Sequence, residues 1–212
     1  MSGKVKLTID GREIEVLAGQ KVLWAALDNG IYIPHLCAIR ENHSPAASCR
    51  LCFVEIEGYP GPVTSCTVEA AGGMVISTRS QRVDRLVSTG FEMIMSNHRT
   101  QCKSCPANRN CALQRIARER GLKLKASRLE QLDRDLPVDR SSAKIIYDPN
   151  KCVLCGRCVW ACRQQGSGTL GFTRRGFDRM VTTFLGAPLG ESDCSGCTAC
   201  AKACPVGALA EK

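Results

Sequence analysis

Cys152, Cys155, Cys158 and Cys162 stand in a C-x2-C-x2-C-x3-C run. Cys194, Cys197, Cys200 and Cys204 repeat it after residues 163–193 and close on Pro205. Two earlier groups, Cys37/Cys49/Cys52/Cys66 and His98/Cys102/Cys105/Cys111, take the remaining cysteines of the fifteen and one of the three histidines. An odd cysteine count at repeated C-x-x-C spacing suits metal better than disulfide bridges. The 212-residue chain has 5% aromatics, and its 44% hydrophobic tally includes those cysteines. That is thin for several apolar cores, so something besides apolar burial must staple the small domains.

No run approaches 18 apolar residues, so no membrane-spanning helix or direct membrane insertion is expected. Met1-Ser2-Gly3-Lys4-Val5-Lys6 opens no apolar signal segment, and Arg174-Arg175 lies too deep for an export signal. A cytoplasmic location is expected, with thiols kept reduced. The net charge of +9 reads as a solvated surface or as a basic face for an acidic partner subunit. Nucleic acid is not expected as a partner, since few aromatics interleave the basic residues.

Val5, Leu7 and Ile9 alternate with polar residues, Asp10-Gly11 follows, then Ile14 and Val16. This predicts a hairpin with a two-residue turn. Val22 to Asp28 reads as a short helix stopped by Asn29-Gly30. Phe53–Glu57, Val63–Cys66 and Met74–Thr78 read as strands. Hairpin, helix, then strands is the order of a β-grasp domain. The cysteine-bearing loop follows the helix, as in plant-type [2Fe–2S] ferredoxins, but its first gap is x11 rather than x4. It resembles instead the N-terminal [2Fe–2S] domain of the large complex I subunit and of iron-only hydrogenases. That resemblance implies Cys37, Cys49, Cys52 and Cys66 as ligands of one [2Fe–2S] cluster. Zinc held by four cysteines is the chemical alternative.

Gln81 to Asn97 reads as a helix with Val83, Leu86, Val87, Ile94 and Met95 on a buried face, and Met93 and Met95 read as packing residues. The H-x3-C-x2-C-x5-C group at its end resembles the [4Fe–4S] motif with one His and three Cys ligands found in the same two families. The resemblance implies His98, Cys102, Cys105 and Cys111 as ligands. Imidazole in place of a thiolate lowers the cluster's negative charge, and in Rieske centres it raises the potential. Zinc again is the alternative here.

The paired runs resemble a bacterial two-cluster ferredoxin, in which the fourth cysteine of each run ligates the other cluster. This implies one [4Fe–4S] cluster on Cys152, Cys155, Cys158 and Cys204, and a second on Cys162, Cys194, Cys197 and Cys200. The first run ends Cys162-Arg163 without the usual proline, which costs no ligand. Two zinc ribbons are the alternative. One [2Fe–2S] and three [4Fe–4S] clusters need sixteen donors, which fifteen cysteines and His98 supply. His35 and His43 are left over and read as exposed loop residues.

Gly166-Ser167-Gly168-Thr169-Leu170-Gly171 matches G-x-G-x-x-G literally. It follows a helical stretch rather than a strand, so a Gly-rich loop is expected instead of a dinucleotide site. No catalytic set is visible, and the chain is expected to have no active site of its own. Residues 112–143 read as a charged connection, with a helix beginning by Cys111 and an ordinary linker over Leu132–Ser142.

The expected class is α+β. Residues 1–79 form the β-grasp domain, 80–140 the small helical His/Cys-ligated domain with linker, and 141–212 the two-cluster ferredoxin domain. This order resembles the small diaphorase subunit of NAD-linked hydrogenases, which stops after its last cluster as this chain does at Lys212. It is similar also to the N-terminal iron–sulfur region of the complex I large subunit and of iron-only hydrogenases. The resemblance implies an electron relay between a flavin- and NAD(H)-binding subunit and a catalytic hydrogenase subunit. The alternative is the same relay in an NAD-dependent formate dehydrogenase or complex I-like assembly. Leu170 to Leu189, with Arg174-Arg175-Gly176-Phe177, resembles the insert of hydrogenase and electron-bifurcating versions.

Overall fold

A computed structural model describes residues 3–132 and 134–212. The chain divides into two units, Met1–Phe91 and Glu92–Lys212.

In the first unit, β1 (Lys4–Ile9) and β2 (Arg12–Leu17) pair antiparallel. Asp10 and Gly11 between them both take left-handed φ values, 51° and 78°, which a two-residue hairpin needs to match strand twist. Helix α1 (Val22–Asp28) stops where Gly30 turns to φ +76° and the Asn29 side-chain amide donates to the Ala25 carbonyl at 2.9 Å. Then come β3 (Phe53–Ile56), β4 (Val63–Thr64) and β5 (Val75–Ser77). The sheet order is β2-β1-β5-β3-β4, with β1 and β5 parallel. Leu7, Ile9, Ile14, Val16, Val54 and Ile76 face inward with Val22, Leu23, Ala25 and Ala26 of α1. Each fully buried aliphatic side chain contributes about 1.5–3 kcal/mol. This is a β-grasp domain. The three later strands are each a residue or two shorter than their hydrophobic runs. Just beyond β4, the Ser65 N–H and hydroxyl both donate to the Cys52 carbonyl.

Helix α2 (Gln81–Ser96) starts at Ser80, whose hydroxyl accepts from the Val83 N–H at 3.1 Å. Its buried line is Val83, Val87, Phe91 and Met95, spaced four apart. Leu86, expected on that face, and Met93, expected to pack, lie off it and are exposed. A single i, i+4 stripe is too narrow to include them.

The second unit is built on short elements. Helix α3 (Ala112–Arg120) buries Leu113, Ile116 and Ala117 and ends at Gly121, φ +65°. Strands β6 (Ile145–Tyr147) and β9 (Leu209–Glu211) pair antiparallel. Between them lie α4 (Arg157–Gln164), the hairpin β7 (Gly171–Thr173) with β8 (Met180–Thr182), and α5 (Ala199–Ala203). Their core joins Ile145, Val159, Leu170, Val181 and Leu209 to Cys158, Cys162 and Cys200. Residues 166–171 follow α4 and lead into β7, so the glycine pattern opens no helix.

The stretch over 132–142 departs from an ordinary linker at its described residues. The Asn150 amide clamps Leu136, accepting its N–H and donating to its carbonyl at 2.8 Å each. Asp139 bridges to Tyr147 and accepts the Leu189 N–H at 2.7 Å. The buried Asn150 amide and the half-buried Asp139 carboxylate fix this irregular backbone where sequence pattern alone reads as linker.

Candidate metal centres

In the first unit, the loop after α1 carries Cys37, Cys49 and Cys52, and the turn after β4 carries Cys66. Cys37 and Cys49 lie sulfur to sulfur at 3.4 Å. Cys52 and Cys66 form a second hydrogen-bonded pair. Two pairs are what two irons require, each taking two terminal thiolates. Within the first pair, the hydrogen bond with Cys49 draws the Cys37 thiol down to about 5. The same bond, followed by burial, pushes Cys49 up. The loop holds two non-glycine residues at left-handed φ, Ala47 (47°) and Arg50 (52°), and such backbone concentrates at functional sites. It also packs on α2, where a Cβ on Gly90 would stand 2.9 Å from the Arg50 carbonyl oxygen. His35 is half-buried rather than exposed, set edge-on to Trp24 with ring centroids 5.7 Å apart. Its Nδ1 also lies 2.9 Å from the Ile33 carbonyl oxygen, which accepts its hydrogen bond. His43 is exposed.

In the second unit, His98 follows α2 and is buried. Its Nδ1 lies 3.0 Å from the Lys151 carbonyl oxygen. Because a carbonyl only accepts, Nδ1 carries the proton and the Nε2 lone pair is left as the donor for a metal. Burial pulls the imidazole pKa below its ordinary value, which keeps the ring neutral. Cys102 opens a short 3-10 turn, Cys105 closes it and Cys111 precedes α3. Burial raises the Cys111 thiol, and negative charge on Cys105 and Cys102 adds to that. The three thiols are therefore electrostatic neighbours.

The paired runs share one backbone design. Two and four residues after the first cysteine, the chain takes left-handed φ in both: Leu154 (54°) and Gly156 (76°), then Gly196 (64°) and Thr198 (60°). A β-branched threonine there is strained. Equal offsets make each run curl the same way around a common space. Burial pushes Cys152 to about 11 and Cys155 to about 12, and Cys204 adds negative charge at both. Burial likewise pushes Cys200 to about 11, with Cys162, Cys194 and Cys197 adding to it. Cys204 is thus an electrostatic neighbour of Cys152 and Cys155, and Cys162 of Cys200.

The donor set fits iron–sulfur clusters. Backbone N–H groups of Leu154, Leu170 and Leu209 point at the sulfurs of Cys152, Cys162 and Cys204 at 3.4–3.5 Å. The Ser167 hydroxyl lies 3.2 Å from the Cys162 sulfur. Donors of this kind stabilise negative charge on ligating sulfur. All fifteen cysteines are free thiols. Among the described residues, no three His, Cys, Asp or Glu side chains gather as a single metal ion would require.

The positions that arrange these donors without ligating carried no motif. Gly90, the Lys151 carbonyl and Gly207, where a Cβ would stand 3.0 Å from the Cys105 sulfur, act through backbone, and only an interior helical glycine, as at Gly90, hints at such a role.

Three family models match the chain. A 2Fe-2S iron-sulfur cluster binding domain matches residues 2–81, the NADH-ubiquinone oxidoreductase-G iron-sulfur binding region 89–124, and a 4Fe-4S dicluster domain 151–208. NADP-reducing hydrogenase subunit HndD of Solidesulfovibrio fructosivorans is 34% identical over 213 residues, covering 97% of this chain and 36% of that protein. The mitochondrial NADH-ubiquinone oxidoreductase 78 kDa subunit of Neurospora crassa is 34% identical over 216 residues, covering 99% and 28%. The chain thus spans only 36% and 28% of the length of those curated relatives. A chain in the crystal structure of an NAD+-reducing [NiFe]-hydrogenase in the H2-reduced state superposes with TM-score 0.87 at 34% identity. That match covers 98% of this chain and 87% of the other.

Proposed function

The chain belongs to the family of iron–sulfur electron-transfer subunits related to NAD-linked hydrogenases and to the NADH-quinone oxidoreductases, and from that premise we propose that it is the electron relay of an NAD-linked hydrogenase. In this reading it works between a flavin- and NAD(H)-binding subunit and a catalytic hydrogenase subunit. Its three functional segments are residues 1–79, 80–140 and 141–212. The observation that carries the reading is the mutual coverage with the hydrogenase chain, 98% of this chain and 87% of that one. A relay in a formate dehydrogenase or a complex I-like assembly is the second reading, favoured by the 34% identity to the Neurospora crassa protein over 99% of this chain.

Cys37 with Cys49 and Cys52 with Cys66 would hold one [2Fe–2S] cluster. His98, Cys102, Cys105 and Cys111 would hold a [4Fe–4S] cluster. Cys152, Cys155, Cys158 and Cys204 would hold a second, and Cys162, Cys194, Cys197 and Cys200 a third. When bound, such clusters supply one-electron transfer. The chain's own part is to bind, orient and tune. His98 offers its Nε2 because the Lys151 carbonyl accepts a hydrogen bond from Nδ1–H, and burial keeps the ring neutral. The Leu154, Leu170 and Leu209 amides favour the charged sulfurs they face. No helix among the described residues is long and apolar enough to cross a membrane.

The test is anaerobic purification from the native host, with the co-purifying chains identified and iron, zinc and acid-labile sulfide measured. The expected outcome is a flavin-containing NAD(H) subunit, a [NiFe] or iron-only hydrogenase subunit, and sulfide without stoichiometric zinc. A formate dehydrogenase partner would select the second reading. Zinc in place of sulfide would overturn both.

A further inference from the structure

We propose that the Tyr147 hydroxyl is a redox-linked hydrogen-bond donor, which turns from the Val181 carbonyl to the Cys152 sulfur when the centre on that sulfur is reduced. This rests on the ligand assignment above and adds the side chain that sets how readily one carrier accepts its electron.

Tyr147 is buried in the core it shares with Leu170, Val181 and Leu189, and Cys152 packs against that same core. Its backbone is held from two sides. It pairs with Leu209 of β9, and it exchanges both main-chain hydrogen bonds with Asp139, at 2.8 and 3.0 Å. A ring anchored in this way delivers its hydroxyl to a fixed point. There the O–H donates to the Val181 carbonyl of β8 at 2.9 Å. The Cys152 side chain lies within hydrogen-bonding reach of the same phenol oxygen, and Cys158 is a further electrostatic neighbour. The hydroxyl therefore faces two sulfurs of one proposed ligand set.

A phenol keeps its proton at neutral pH and has one hydrogen to donate, whereas a carbonyl and a ligating thiolate only accept. Val181 and Cys152 therefore compete for the same hydrogen. Negative charge gathers on the Cys152 sulfur when its centre takes an electron, and a hydrogen bond to a charged acceptor is about twice as strong as one to a neutral acceptor. The sulfur holds the hydrogen in the reduced state and the carbonyl holds it in the oxidised state. The proton stays on the phenol oxygen throughout, so no bond is broken and only an electron is gained. A donor recruited on reduction favours the reduced form and raises the potential. Cys152 already accepts the Leu154 N–H at 3.4 Å. That donor belongs to the cysteine run itself, and Tyr147 adds to it from outside.

The competing acceptor is itself held in place. The Arg134 guanidinium donates to the carbonyls of Asp178 at 2.9 Å and Arg179 at 3.1 Å, immediately before β8. Its positive charge is felt at Cys152 and at Tyr147. The cation that fixes the start of β8 thus faces the same sulfur as the phenol. Tyr147 and Arg134 are positioning residues, acting on the centre through Cys152.

The full-length, cluster-loaded protein tests it in two ways. In Tyr147→Phe, iron and sulfide are expected to match the parent, because the ring and its surroundings remain. One [4Fe–4S] midpoint potential is expected to fall while the others hold. The expected size is roughly a tenfold change in that centre's reduction equilibrium, or about 59 mV for one electron. Unchanged potentials in the loaded variant would overturn the proposal. The other measurement needs no variant and stands even if Tyr147→Phe fails to load. With tyrosine labelled by 13C at the hydroxyl-bearing ring carbon, electron–nuclear double resonance on the reduced parent is expected to show 13C coupling at one [4Fe–4S] centre. Full iron and sulfide without that coupling would overturn the proposal and leave the ligand assignment standing. Sulfide too low for four clusters in the parent would overturn the ligand assignment, and the proposal with it.

Discussion

Gly90 occupies a helix interior where alanine is ordinarily better by about 1 kcal/mol. Here the missing methyl group makes room for the Arg50 carbonyl, between Cys49 and Cys52. Gly90→Ala is expected to destabilise the protein by about 1–3 kcal/mol, the usual range for overpacking, in spite of the helical gain. Denaturant unfolding measures that loss, and a changed EPR line shape of the [2Fe–2S] centre reports the displaced loop. An unshifted signal would mean that the loop is placed by other contacts. His98 makes a second prediction. His98→Ala removes or remodels one [4Fe–4S] signal and leaves the [2Fe–2S] signal intact, because those two sets of donors share no residue. Unchanged spectra and iron content would refute the ligand assignment.

Helix α2 hands over to irregular chain through Glu92, whose carboxylate organises residues 127–128. It accepts the N–H groups of Ser127 and Arg128, the Ser127 hydroxyl and the Arg128 guanidinium. The Arg128 and Ser127 amides hold its pKa down at about 2. A depressed carboxylate pKa stabilises above the unfolded value, and that contribution is lost as pH falls through the folded one. Protection of the Ser127 and Arg128 amides, corrected for intrinsic exchange, is therefore expected to stay flat across neutral and mildly alkaline pH. In Glu92→Gln both amides are expected to exchange faster, and hydrogen exchange measures this directly. At this scale the first unit was readable in advance. Asp10-Gly11 and Asn29-Gly30 need particular backbone angles that few residues supply, so the hairpin and the stop of α1 announce themselves locally. The stitching of 134–142 did not. It depends on Asn150 and Tyr147 meeting Leu136 and Asp139, contacts that no local periodicity encodes. The cysteine spacing was legible for a different reason, because a rigid cage tolerates few ways for a chain to wrap it. Which backbone atoms approach which sulfur was not legible, since Gly207 and the Lys151 carbonyl leave no pattern in sequence.

The whole molecule pairs a conventional core with an unconventional one. The first unit buries aliphatic side chains between sheet and helix. The second unit's ferredoxin core counts Cys158, Cys162 and Cys200 among its buried members, with Cys152, Cys194 and Cys204 packed against it. Metal binding is folding free energy where ligands have no other reason to converge. Stripping iron with a chelator under reducing conditions is expected to raise hydrogen exchange across residues 141–212, while β1, β2 and α1 keep their protection. Uniform loss in both regions would show that the β-grasp unit also depends on metal.

Strand β9 is the antiparallel neighbour of β6, and Asp148 N–H reaches back to the Ala208 carbonyl at 2.7 Å. A ribosome delivers residues 145–147 long before residues 209–211, and domains fold as units while they emerge. The nascent ferredoxin segment therefore waits with the β6 edge unpaired until β9 has emerged, so this sheet closes only when the last residues of the segment arrive.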